Sequence, residues 1–111
     1  MAADVIRLVK GDERPVIVLT LTDDVTGLPI DLSLANTIVT IKFREAGTTT
    51  LLSTIPTSKL SGGTTGQVQF DFIGGVLDVD PGMYEGEIVI TFGVDVQTVY
   101  DTLRFTVREN F

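Results

Sequence analysis

Apolar and polar residues alternate at every second position in five stretches of the chain, the pattern of strands with one buried face. Within 15–23, Ile17, Leu19 and Leu21 share one side and Thr20 and Thr22 the other. Within 37–44, Val39, Ile41 and Phe43 oppose Thr40, Lys42 and Arg44. Within 66–72, Val68, Phe70 and Phe72 alternate with Gln67, Gln69 and Asp71. Within 84–92, Tyr84, Gly86, Ile88, Ile90 and Phe92 oppose Glu85, Glu87 and Thr91. Within 101–108, Leu103, Phe105 and Val107 oppose Thr102, Arg104, Thr106 and Arg108. Less regular runs at 5–9, 29–32, 49–55 and 95–100 add weaker strands. The last of these runs into the final strand through a bulge near Tyr100-Asp101-Thr102. No stretch holds a helical period, and 28–36 is the best place for one short turn.

Turn residues punctuate the strands at Lys10-Gly11-Asp12, Asp23-Asp24-Val25-Thr26-Gly27, Asp80-Pro81-Gly82 and Gly93-Val94-Asp95. Gly93-Val94-Asp95 predicts a hairpin. The tracts 47–50 and 61–66 read as exposed loops, the second as a mobile one. Many short strands separated by turns predict an all-β, immunoglobulin-like antiparallel β-sandwich of about seven to nine strands. One domain spans 1–111, with short terminal arms at about 1–4 and 109–111.

Asp80, Gly82 and Tyr84 form an Asp-x-Gly-x-Tyr approach to the strongest strand. That spacing matches the tyrosine corner of immunoglobulin-like sandwiches, in which the phenol folds back onto upstream backbone. Gly86 stands where antibody domains carry a cysteine. An ordinary tight turn before a strand is the plainer alternative.

Composition removes whole classes of chemistry. The chain contains no cysteine and no histidine. Disulfide frameworks, thiolate sites and Ser-His or Cys-His nucleophiles are therefore excluded. The net charge is −7, from 15 acidic and 8 basic residues. That sign disfavours nucleic acid and anionic membrane surfaces as partners. Met1-Ala2-Ala3-Asp4-Val5 lacks the regions of a cleaved leader, so none is expected.

The ordered motifs bear a likeness. Lys10-Gly11-Asp12-Glu13-Arg14-Pro15 leads into an apolar strand. Asp23 to Gly27, Pro29-Ile30-Asp31-Leu32 and Val39-Thr40-Ile41-Lys42-Phe43-Arg44 follow, and Gly82-Met83-Tyr84 comes late. This order resembles the immunoglobulin-like N-terminal domain of phage baseplate upper proteins and related phage tail and virion domains. Gly11, Asp12 and Pro15, with Asp80, Gly82 and Tyr84, carry the structural part of that resemblance. The segment 32–36 departs from the family wording. A baseplate position would be expected to bring a following fibre-like or receptor-attachment region, and the expectation taken from the resemblance is a virion domain more than a baseplate position.

Each candidate site has a simpler role beside it. Asp23, Asp24, Asp78 and Asp80 have no calcium-loop spacing and fit turn capping. Glu85 and Glu87 share one strand face and fit a solvated surface better than glycosidase chemistry. Lys10, Arg14, Lys42 and Arg44 are the candidate docking patch for an acidic partner, or else a solvent face that deters edge pairing.

The expected function is thus a non-enzymatic virion structural protein that docks onto other phage virion proteins. Head decoration, head–tail connection, tail and baseplate are the candidate positions. No catalytic, metal or cofactor site is expected, and copies of the same chain are the alternative partner. An assembly factor absent from the mature particle and a carbohydrate-binding host-recognition module are the rival functions. The latter needs exposed aromatic rings.

Overall fold

The alternating stretches become strands in a computed structural model, which describes residues 5–23, 25–99 and 102–110. In chain order these are β1 (Val5–Val9), β2 (Ile17–Thr20), β3 (Thr37–Glu45), β4 (Leu51–Pro56), β5 (Ser58–Lys59), β6 (Gln67–Phe70), β7 (Gly82–Phe92), β8 (Asp95–Thr98) and β9 (Leu103–Arg108). The larger sheet has the order β1-β9-β7-β3-β4, with β8 also paired to β7. The smaller sheet is β2-β6-β5. The two sheets enclose one hydrophobic core, and the chain is an all-β, immunoglobulin-like sandwich.

Period-two burial is visible along β3, where Thr37, Val39, Ile41 and Phe43 point inward. Opposite them in the same sheet, Tyr84, Gly86, Ile88 and Ile90 of β7 face the same core. Leu19 of β2 and Val68 and Phe70 of β6 close the core from the smaller sheet. Five rings tie the two sides together. Tyr84 stacks on Phe43 at 5.1 Å, and Phe43 meets Phe105 at 5.6 Å. Phe105 meets Phe72 edge-on at 5.9 Å, and Phe72 meets Phe70 at 5.7 Å. Each such pair contributes roughly 0.5–1.5 kcal/mol beyond its buried area.

Three expectations need correction. The larger sheet is mixed rather than antiparallel, because β1 runs parallel to β9 from Val5↔Arg104 to Val9↔Arg108. Almost the whole chain separates these two strands, so no short hairpin constrains their relative direction. The stretch 29–32 is not a strand. It makes a single antiparallel bridge, Pro29 to Thr22, to which the Ile30 amide contributes, and beyond it the Leu32 amide turns to a loop partner. Ile30 N–H donates to the Leu21 carbonyl, and Leu32 N–H to the Gly63 carbonyl, each at 2.9 Å.

The third correction concerns 61–66, read as a mobile exposed loop. Its first three residues form a tight turn with positive φ at Ser61, Gly62 and Gly63, and Gly63 and Gly66 are buried while the other four residues are exposed. A Cβ on Gly66 would lie 2.6 Å from the Leu21 carbonyl oxygen, and one on Gly63 would lie 2.7 Å from that of Leu32. Lacking side chains, these glycines let two backbones touch.

Phe92 pairs with Asp95 across the two-residue loop Gly93-Val94. Gly93 supplies the positive φ, 70°, of that hairpin. The arm at 1–4, Asp24, Tyr100, Asp101 and Phe111 lie outside the described residues. So does the bulge expected at Tyr100-Asp101.

Candidate functional site

Lys42 and Arg44 project from the outer face of β3, and their register decides what they meet. Lys42 is opposite Glu87 and Arg44 opposite Glu85. On the other side of β7, Glu85 faces Arg104 of β9. The charges therefore form alternating rows across the sheet rather than one basic area. Arg44 Nε lies 3.5 Å from Glu85 Oε1, which also accepts the Gly47 N–H at 3.3 Å. Lys42, Arg44, Thr49, Leu51 and Glu87 line a depression of ≈ 190 Å³ on this face. A carboxylate beside each cation lowers the pull on an acidic partner.

Lys10 and Arg14 are elsewhere. They lie on the connection from β1 to β2, and β9 and β7 separate β1 from β3 within the sheet. The four residues offered as one docking patch thus occupy two regions. Arg104, which the basic set omitted, joins Arg44 and Glu85 because β9 neighbours β7. Sequence alternation places all three on outward faces but does not specify their register.

Gly11, Asp12 and Pro15 build the passage from one sheet to the other. Gly11 has φ +84° and donates its N–H to the Leu77 carbonyl at 2.9 Å. Asp12 N–H donates to the Val9 carbonyl at 3.1 Å, and the Phe72 N–H to the Glu13 carbonyl at 3.0 Å. Pro15 is exposed and follows a cis peptide bond. In the approach to β7 the Tyr84 hydroxyl donates to the Asp80 carbonyl at 2.6 Å. Gly82 opens β7 opposite Val107. These six residues are framework.

Asp23 and Asp31 serve their own turns. Asp23 Oδ1 accepts the Val25 N–H at 2.8 Å and the Thr26 N–H at 3.2 Å. Hydrogen bonds from the Ser33 side chain and backbone hold the Asp31 carboxyl below the usual carboxylate range. Among the described residues, no group of three or more Asp or Glu side chains is placed to hold a metal ion.

A concavity lies between β4 and the segment that follows β6. Ser53, Thr54, Ile55 and Pro56 of β4 form one wall of a groove of ≈ 380 Å³. Asp71, Ile73, Gly74 and Val76 form the other. A second groove of ≈ 220 Å³ shares Pro56 and Asp71 and extends to Ser58, Gln69 and Val16. Hence the concave surface follows the side where the chain leaves β4 for β5. The alternation pattern could locate a strand here but not that it ends a sheet.

No protein-family model and no curated protein matches this sequence.

Proposed function

We propose that this chain is a non-enzymatic structural domain of a bacteriophage virion that docks onto other virion proteins. The order of motifs from Lys10-Gly11-Asp12 to Tyr84 carries this reading. In the fold, Gly11 and Asp12 fix the passage between sheets, and Tyr84 fixes the approach to β7. The likeness is therefore one of scaffold, which leaves faces and edges for docking. Repetition in a symmetric particle turns weak individual contacts into firm attachment.

Among the described residues, the placement of the aromatic rings disfavours sugar recognition. Phe43, Phe70, Phe72, Tyr84 and Phe105 are buried in the core, and Phe92 is half-buried. Stacking on a glycan needs such rings at the surface.

Mass spectrometry of purified particles from a phage encoding this chain tests the proposal. The chain is expected in the mature particle at a fixed ratio to the capsid or tail proteins. Its consistent absence from intact particles would refute the reading.

A further inference from the structure

The free edge of β4 has chemistry of its own. β4 ends the larger sheet, and among the described residues no strand pairs with its outer side. Such an edge presents unpaired N–H and C=O groups, which another extended backbone complements. Natural edges are commonly blunted by charge, by proline, by bulges or by short length. β1 carries the exposed Arg7, β8 carries Asp95, and the edges of the smaller sheet are short, four residues in the uncharged β2 and two in β5. β4 runs for six residues, Leu-Leu-Ser-Thr-Ile-Pro, without a charge; its register shift falls at Leu52 and its proline at the last position, which leaves 53–55 as a regular, uncharged edge.

Its surroundings suit an incoming strand. The ≈ 380 Å³ groove follows four consecutive β4 residues. Ile73 on the opposite wall is 64% exposed, and Leu52 on β4 is 46% exposed. Gly74 leaves that wall open, with no atom within 4 Å of where its Cβ would stand. Among the described residues, Asp71 is the one charged residue lining the groove, and the chain as a whole carries −7.

We infer that β4 receives an extended segment of a partner protein as an added strand. This segment has alternating apolar residues and a lysine or arginine directed at Asp71. Backbone hydrogen bonds supply the common affinity, and the groove and Asp71 supply the choice of sequence. A second copy is a poor occupant, because β4 brings no cation to Asp71 and both copies carry the same net charge. The inference rests on the docking part of the function proposed above, not on its place in a virion.

The probe is a fluorescein-labelled octapeptide of alternating Val and Thr with one central Lys. Its counterpart carries Glu in place of Lys. Binding is read by anisotropy, and its location by NMR amide shifts of the intact chain. Lys-peptide binding is expected, with shifts confined to 51–56 and 71–76. The Glu peptide, or the Asp71→Asn variant, should bind about tenfold more weakly. Thr54→Lys keeps an outward polar residue and should lower binding through its charge on the edge. The retained amide spectrum of that variant reports its fold.

Absence of Lys-peptide binding, shifts centred elsewhere, or equal affinity for the two peptides would overturn the inference. So would a dimer joined through β4 in sedimentation. Peptide binding by a chain missing from particles would preserve the edge and remove the virion placement; the opposite pair of results would do the reverse.

Discussion

The Phe105 ring stands edge-on to that of Phe72, with centroids 5.9 Å apart and planes at 89°. Phe105 belongs to the larger sheet, and Phe72 follows the last residue pair of the smaller one. Both rings are fully buried. Truncating either leaves a cavity between layers that surrounding strands cannot close. Phe105→Ala is expected to lower stability by about 3–5 kcal/mol in urea unfolding. Combining it with Phe72→Ala should show a coupling of roughly 0.5–1.5 kcal/mol. Strict additivity would mean that the ring contact contributes nothing beyond burial.

Tyr84 gives a second test, with a pH signature. Tyr84→Phe keeps the stack on Phe43 but removes the hydrogen bond to the Asp80 carbonyl. The expected loss is about 1 kcal/mol. Burial first, then the nearby Glu45 and Asp80 charges, raise the hydroxyl above its ordinary value of 10.0. A folded value above the unfolded one means the folded state holds the proton longer. The resulting stabilisation is complete below pH 10.0 and is lost as pH rises through the folded value. Urea midpoints of wild type should therefore fall more steeply above that pH than those of Tyr84→Phe. Parallel curves would refute the assignment.

How much of this was legible beforehand depends on which interactions act locally. Alternation at Val39, Ile41 and Phe43 marks β3 and its buried face, because side-chain direction follows from backbone geometry alone. The same pattern puts Lys42, Arg44, Glu85 and Glu87 on outward faces. It leaves their pairing open, since register depends on the partner strand. At 29–32 the apolar residues resemble a strand, yet Leu32 N–H bonds to Gly63 and not to a neighbouring strand. The glycines of 61–66 carried the missed signal. Gly66 sits where the backbone of Leu21 comes within touching distance, a role easily mistaken for flexibility.

That distinction yields a mutational test. Gly86 and Gly66 both lack room for a methyl group, for different reasons. A Cβ on Gly86 would lie 2.9 Å from Ile41 Cγ2 and 3.0 Å from Phe105 Cε2, which are side chains able to shift slightly. One on Gly66 would meet the Leu21 carbonyl oxygen at 2.6 Å, at φ +71°. Gly86→Ala is expected to cost about 1–3 kcal/mol, and Gly66→Ala more. Gly27→Ala is the control, with φ +72° and nothing within 4 Å. Its loss should be limited to about 1–2 kcal/mol of backbone strain. If Gly66→Ala cost no more than Gly27→Ala in urea unfolding, 61–66 would be the free loop its composition suggests.

Thr37 offers a substitution expected to stabilise. It begins β3 opposite Phe92, with its N–H donated to the Leu34 carbonyl at 3.0 Å. Its side chain is 1% exposed, and among the described residues Oγ1 has no hydrogen-bond partner. A buried hydroxyl without a partner loses its water without compensation. Valine keeps nearly the same shape, and β-branching suits it to a strand. Thr37→Val should therefore raise the urea midpoint, by about 1 kcal/mol in stability, with an unchanged denaturant slope. Thr37→Ser should lower it, because the hydroxyl stays while a buried methyl is lost. A decrease for Thr37→Val would show that the hydroxyl has a partner that holds this end of β3 in place.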